Sequence, residues 1–559
     1  MFPYLRSANS ARGSAVDVVF EVTALILVVA VVRAAARRVR LPEPVLLLIV
    51  GVGLAYLPGF PDYRLPPELV LQVGLPLLLY AAAFTTWVPA LRANARPIAL
   101  MAVGYTLFTT VVVGYLAHLL VPGLPLAAGM VLGALVAPPD AVAAVAVGRE
   151  AGMPRRVVAI LEGESLFNDA AALTALKVAV AAVVGGSFGL GDAVGRFLLI
   201  SAGGLAVGWG VARLLAKVRA RVENPMSDAM LSLLAPFLAY LPAEAIGTSG
   251  LVSVVVTGLY LGHQAPRLMD AQARLVAHSF WQVIEYVLVG VVFVVIGLRL
   301  PDIVAGLDRY SAGFLASVSV AVVAAVVISR FVWVFPAAYL PPLLSRRLRE
   351  RDPAPPWQLP ALVSWAGMRG VVSLAAALTL PTTTAGGAPF PQRELLLFLT
   401  FVVIVATLLG QGLTLPALVR RIRPPADDDA AHAEQEALAQ RAAAAAGLER
   451  LDEILERENP PPEVVQRLRQ QAERRLTLAL AGGAEVEREP PALIYRRLRR
   501  QMLEAARARL VELRDKGELD QDAFLHVLRE IDLEESSLVH DDRGRREVAR
   551  GTRTTRSHR

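Results

Sequence analysis

Leu161-Glu162-Gly163-Glu164-Ser165-Leu166-Phe167-Asn168-Asp169-Ala170-Ala171-Ala172-Leu173 opens an apolar run that continues to about Val184. Glu164, Ser165, Asn168 and Asp169 therefore lie inside what otherwise reads as a membrane span. A charge in hydrocarbon is costly, so acids within a span ordinarily line a substrate or ion path. Helical spacing puts Ser165 and Asp169 on one face, and Glu164 and Asn168 on the adjoining one. The helix thus offers a patch of oxygen ligands to something inside the membrane, most simply a cation or a proton. The alternative is a polar cluster that only clamps helices together, a task for which neutral amides suffice.

The whole chain supports a membrane setting. Its 559 residues are 55% hydrophobic and 19% charged, with a mean hydropathy of +0.51. That is the composition of an all-α polytopic membrane protein, not of a soluble multidomain one. There is no cysteine, which excludes disulfides, thiol chemistry and Cys-based metal sites. The net charge of +7 does not point to nucleic acid, because the basic residues fall in short loops between apolar runs. The first apolar run contains Glu21 and is followed by Arg33, Arg37, Arg38 and Arg40, which is not the pattern of a cleaved signal.

Apolar runs of spanning length fall near 16–34, 43–59, 68–90, 97–119, 124–148, 157–184, 188–215, 227–246, 249–264, 277–299, 309–340, 358–380 and 393–419. They predict thirteen transmembrane helices. Arginine clusters at Arg33–Arg40, Arg92 and Arg96, Arg149–Arg156, Arg213–Arg221, Arg267 and Arg274, Arg346–Arg351 and Arg420–Arg423 occupy every second loop. The intervening loops, such as Pro58–Pro67, Val121–Pro125, Gly185–Gly191 and Pro381–Pro391, are rich in Gly and Pro. The positive-inside rule then puts the N-terminus outside and the C-terminus in the cytoplasm.

Two spans are interrupted. Ala137-Pro138-Pro139-Asp140-Ala141 puts two prolines and an acid in the middle of the fifth, and Gly367-Met368-Arg369-Gly370 puts an arginine between glycines in the twelfth. Proline removes a backbone donor and glycine weakens a helix, so both places are expected to unwind. If spans one to six and eight to thirteen are repeats, the broken helices are the fifth member of each, and the odd spacing inverts one half against the other. Interrupted segments at matching positions of inverted halves point to a secondary transporter's binding site. Unwound ends carry partial charges, positive at helix N-termini and negative at C-termini, which Asp140 and Arg369 are placed to neutralise. Arg369 is also the expected partner of Glu164, since an unpaired buried acid is expensive. That leaves Asp169 free to titrate.

Other charges carry less. Lys177 is expected to snorkel toward the outer interface. Glu21, Glu244, Glu285 and Arg330 read as packing or gating residues, and His118, His263 and His278 as solvated residues at helix ends. From Pro424 the apolar runs stop, so the chain divides into a membrane domain (1–423) and a helical cytoplasmic tail (424–559). In the tail, 491–516 and 519–537 form an expected helical hairpin around Gly517, with Ile494, Leu498, Met502, Leu510 and Leu513 as contacts. Arg543–Arg559 is a basic end of disordered character.

These motifs resemble one family. Glu164-Ser165-Leu166-Phe167-Asn168-Asp169 is similar to the sixth-helix signature of the sodium/proton exchangers in the monovalent cation:proton antiporter superfamily, where the Asn-Asp pair carries the ion site. Asp140-Ala141-Val142-Ala143 resembles the fifth-helix motif, and Gly367-Met368-Arg369-Gly370-Val371-Val372-Ser373-Leu374 the twelfth-helix motif. The likeness covers nearly all of 16–420. It implies a thirteen-helix homodimer with a six-helix core, formed by spans four to six and eleven to thirteen, beside an interface domain in an elevator arrangement. It also implies exchange of Na⁺ or Li⁺ for H⁺. Two departures stand out. Pro139-Asp140-Ala141 replaces the Thr-Asp-Pro of many members, and Ala81 stands where relatives often carry an acid.

The resulting expectation is an antiporter of the bacterial inner membrane, with no cofactor, no enzymatic activity and no nucleic-acid partner. Its ion- and proton-handling residues are Asp169, Asn168, Ser165, Asp140 and Pro139, with Asp169 as ligand to the transported Na⁺. Glu164 and Arg369 are the expected structural ion pair. The rivals are a K⁺/H⁺ antiporter with the same site, a gated cation channel, and an intramembrane protease. A channel needs a carbonyl filter or a continuous polar pore, and no such stretch is present. A protease needs a second acid without a structural partner.

Overall fold

The computed structural model describes residues 15–36, 43–57, 70–185, 190–222, 224–351, 354–425, 429–458, 460–481, 491–516, 527–528 and 530–534. Four features of the sequence reading lie outside these: Arg37–Arg40, Pro58–Pro67, the turn at Gly517 and the end Arg543–Arg559. So do the side chains of Glu21, Ile494 and Leu498. Two compact units emerge, Met1–Pro425 and Ala426–Arg559.

Every regular element of the first unit is helical. Apart from short helical turns, in chain order these are α1 (Ala15–Ala36), α2 (Glu43–Ala55), α3 (Leu75–Thr85), α4 (Ala95–Leu120), α5 (Leu126–Val136), α6 (Ala141–Glu150) and α7 (Arg155–Gly185). There follow α8 (Leu190–Arg219), α9 (Pro225–Ala245), α10 (Gly250–Leu268), α11 (Ala271–Leu298), α12 (Ala312–Leu344), α13 (Gln358–Trp365), α14 (Val371–Leu378) and α15 (Arg393–Ile422). Among the described residues, seven helices are long and apolar enough to cross a membrane: α4, α7, α8, α9, α11, α12 and α15. The chain is a multi-pass membrane protein. The fifth and twelfth apolar runs are each split, into α5/α6 and α13/α14.

The helices approach closely where glycine faces backbone. A Cβ on Gly133 of α5 would overlap the Thr110 carbonyl of α4, and one on Gly51 of α2 would overlap the Val294 carbonyl of α11. In a bilayer such small-residue contacts supply packing that the hydrophobic effect does not. Buried apolar side chains gather in two main groups. One joins α4–α7 with α12–α15 and takes in α1, α2 and part of α11. The other is built by α3, α8, α9 and α10 with Trp281 of α11. The helix α7 contributes to both, Leu161 to the first and Leu166 and Ala170 to the second.

The second unit contains α16 (Asp429–Leu455), α17 (Pro462–Ala481) and α18 (Pro491–Asp515). Leu503 and Leu510 of α18 are buried against Ile531, and Arg499 Nε and Nη2 reach Glu534 at 2.7 and 2.9 Å. Residues 527–534 therefore fold back on α18. Met502, expected as a contact, is instead 58% exposed, and its neighbour Leu503 takes the inward position.

Candidate ion-binding site

The site is built where the two split helices cross. Pro139 and Arg369 form an isolated antiparallel bridge, and Asp140 N–H donates to Met368 O at 2.6 Å. The two unwound segments thus satisfy part of each other's backbone, a requirement for irregular chain at membrane depth. Four half-helix ends meet here. Asp140 caps α6, with Oδ1 accepting from Val142 N–H at 2.8 Å. Its carboxylate also lies against Gly370, the N-cap of α14, where a Cβ would overlap Oδ2. A negative charge therefore faces two helix N-termini.

Arg369 does the converse. Its Nε donates to Val136 O, at the C-terminal end of α5, at 2.8 Å. Its Nη1 donates to Gly367 O, just beyond α13, and its Nη2 to the Tyr105 hydroxyl at 2.5 Å. Arg369 N–H is held by Thr407 Oγ1 of α15 at 3.0 Å. Tyr105 sits at the end of a wide π-turn in α4 (Leu100–Tyr105), where Trp333 Nε1 of α12 donates to Leu100 O at 2.9 Å. A foreign donor on a carbonyl within the helical ladder is a known setting for such a turn.

The expected pair of Glu164 with Arg369 does not form. Arg330 of α12 takes Glu164 instead, Nη1 and Nη2 each 2.7 Å from one carboxylate oxygen. The two side chains are 0% and 1% exposed. The planar guanidinium fork matches a carboxylate two-to-two, whereas Arg369 is already committed to the helix ends and Tyr105. Arg330 Nε also donates to Val363 O at 2.9 Å, tying α13 into the same network. In the sequence Arg330 reads only as a packing or gating residue, yet an arginine centred in a long apolar helix needs a buried acid. Lys177 likewise does not simply snorkel. Its Nζ lies 2.6 and 2.8 Å from the Glu244 oxygens.

The four-residue patch on α7 is divided by its neighbours. Asn168 is fully buried, with Nδ2 donating to Pro139 O at 2.8 Å and Oδ1 without a partner. Ser165 Oγ is 3.5 Å from Ala141 N. Asp169 is half-buried and has no hydrogen-bond or ion-pair partner among the described residues. It lines a cavity of about 610 Å³ together with Pro139, Asp140, Ser165, Glu285 of α11 and Ser373 of α14. Exposed residues at one end of the cavity, Trp87, Arg149, Glu162 and His278, mark its mouth. Beyond Asp169 on the other side, α7 is tied to α10 by Thr174 and Ser249, 3.4 Å apart, and to α9 by the Lys177–Glu244 pair. The cavity therefore reaches Asp169 from the Glu162 end of α7. Chemically it offers hard oxygen ligands and a free carboxylate to one small cation or a proton.

The profile of the transmembrane sodium/hydrogen exchanger family matches residues 24–421. This chain belongs to that family. It is accordingly a secondary transporter and not an enzyme. An uncharacterised Na⁺/H⁺ exchanger of Mycobacterium tuberculosis is 36% identical over 93% of this chain and 96% of its own length. The sodium, potassium, lithium and rubidium/H⁺ antiporter of Bacillus pumilus is 32% identical over 68% of this chain and 58% of its own. The Na⁺/H⁺ antiporter ApNhaP of Aphanothece halophytica is 30% identical over 76% and 77%. Among solved structures, the sodium proton antiporter MjNhaP1 of Methanocaldococcus jannaschii superposes with a TM-score of 0.57 at 20% identity. The match covers 72% of this chain and 98% of that one, which establishes a shared fold.

Proposed function

We propose that this exchanger swaps Na⁺ or Li⁺ for H⁺ at Asp169, one ion for one proton, by alternating access. The observation that carries this is the contrast within α7. Glu164 is neutralised by Arg330, whereas Asp169 has no partner among the described residues and faces the cavity. A lone carboxylate holds either a proton or a cation, and that competition is the coupling. Asn168 sets the geometry of the break by holding the Pro139 carbonyl, while Ser165 and the Pro138–Pro139 segment add neutral oxygens. Asp140 is committed to capping α6, and the exchanged charge is assigned to Asp169.

With thirteen spans and the arginine loops in the cytoplasm, the N-terminus is outside and the C-terminus inside. The cavity mouth, beside Arg149 and Glu162, is then cytoplasmic, and the described conformation is inward-facing. The setting is the bacterial inner membrane, and a homodimer is the assembly in which the split-helix core moves. A K⁺/H⁺ antiporter is the second reading. It is favoured by the Bacillus relative, whose name includes potassium, and by the absence of a third-helix acid at Ala81.

The test is proton flux in proteoliposomes with Na⁺, Li⁺ and K⁺ compared. Flux driven by Na⁺ and Li⁺ but not by K⁺ supports the first reading. Equal responses to all three favour the second, and no cation-dependent proton movement overturns both.

A further inference from the structure

One hydroxyl on the cavity wall has no structural employment. Ser373 of α14 is 2% exposed, lines the same cavity as Asp169, and its Oγ has no hydrogen-bond partner among the described residues. Several buried hydroxyls in the other helices return to the carbonyl four residues back, although those of Thr106 and Ser319 do not. Thr174 reaches Ala170 O at 2.7 Å, Thr400 reaches Leu396 O at 2.8 Å, and Thr407 reaches Val403 O at 2.8 Å. Ser373 lacks that outlet. It is the third residue of α14, and the residue four back is Arg369, in the unwound segment. An unpaired buried hydroxyl is costly, so its placement calls for a partner that arrives later.

The surroundings say what kind of partner. Asp140 packs on Gly370, three residues before Ser373, and Asp169 and Ser165 bring a carboxylate and a hydroxyl from α7 to the same cavity. Among the described residues, no basic side chain lines the inner part of it; Arg149 stands at the mouth and is paired with Glu162 at 2.6 Å. We propose that Ser373 Oγ is a further ligand to the transported alkali cation, contributed by the second broken helix opposite the ligands of α7. The inference rests on the reading of Asp169 as the ion-exchanging carboxylate. It adds that cation binding draws on both split helices, and that Ser373 acts on the cation arm of the exchange and not on the proton arm. A proton on Asp169 needs no coordination shell, whereas a desolvated alkali ion does.

The test uses the full-length protein in proteoliposomes, with Ser373→Ala and Ser373→Thr beside wild type and Asp169→Asn. Loss of one neutral ligand is expected to raise the apparent KM for Na⁺ about tenfold in Ser373→Ala, at nearly unchanged maximal rate. The Na⁺/Li⁺ preference should also change, and Ser373→Thr should restore most of the affinity. Thermal stability without cation should stay at or above the wild-type value, because the orphaned hydroxyl is gone, while stabilisation by added NaCl should shrink. Unchanged KM, ion preference and NaCl-dependent stabilisation in Ser373→Ala overturn the proposal. A purely structural role would show as lowered stability with unaltered preference, and overturns it equally. Asp169→Asn separates the two levels. If it still exchanges, the underlying reading fails; if it is inactive while Ser373→Ala is normal, only this inference fails.

Discussion

Glu164 and Asp169 lie five residues apart on α7 and meet opposite fates. Glu164 faces α12 and is locked, fully buried, by both terminal nitrogens of Arg330. Asp169 faces the crossing of the split helices and is left without a partner at a cavity wall. The same chemical group is a structural element on one face and, in the proposed mechanism, the working site on the other, and what separates them is the neighbouring helix. A buried charge paired by a fork of hydrogen bonds is held, since breaking it strands the partner. An unpaired one is tolerable only where a proton or cation neutralises it.

The sharpest way to break this comparison is to remove Asp169, the acid proposed to do the work. Asp169→Asn is expected to abolish cation-driven proton flux while leaving membrane insertion and folding intact. Retained flux in vesicles would remove Asp169 from the mechanism. On the locked face the effect should be on stability. Arg330→Ala leaves Glu164 uncompensated, and losing one member of a buried pair typically costs about 3–5 kcal/mol. The yield of folded protein and the melting temperature in detergent should both fall. Replacing both partners, Arg330→Met with Glu164→Gln, should recover a large part of the loss. A single variant of wild-type stability would show that the pair does not hold α12 to α7.

Charge balance sharpens the comparison further. If Asp169 alone exchanges its charge while Glu164 and Asp140 keep theirs, transport is electroneutral. The rate in proteoliposomes should then be nearly flat against an imposed potassium-diffusion potential, and a steep response would require a second exchanging charge. The smallest effect is expected from the tail. Residues 426–559 form a unit of their own and supply none of the ligands named above. Truncation after Arg423 should leave exchange detectable, with a shift in its pH profile or maximal rate. Complete loss in a correctly inserted, truncated protein would place the tail within the transport machinery.

Much of this was legible in the residues. The apolar runs fix a polytopic helical chain because a bilayer leaves backbone no other way to satisfy its hydrogen bonds. Pro138-Pro139 and Gly367–Gly370 located both interruptions because the local chemistry of proline and glycine opposes helix whatever the surroundings. Asp169 and Asn168 were visible as polar residues in an apolar helix. The spacing that places Ser165 on the face of Asp169 follows from helix geometry alone.

Partner choice was not legible. From the sequence Arg369 is the expected partner of Glu164 and Arg330 a packing or gating residue, and only the packing of α12 against α4 and α13 brings the fork of Arg330 onto Glu164. That same packing leaves Arg369 to two helix ends and Tyr105. Ser373 stood within a recognisable motif, but nothing in a sequence marks a hydroxyl as unsatisfied. The sequence by itself determined the helices, their breaks and the presence of charge inside the membrane, because those depend on neighbours along the chain and on the solvent. The tertiary structure alone decided which charges cancel and which stay open to the cavity, because a pairing between residues 164 and 330 is set by where helices 166 residues apart meet in space.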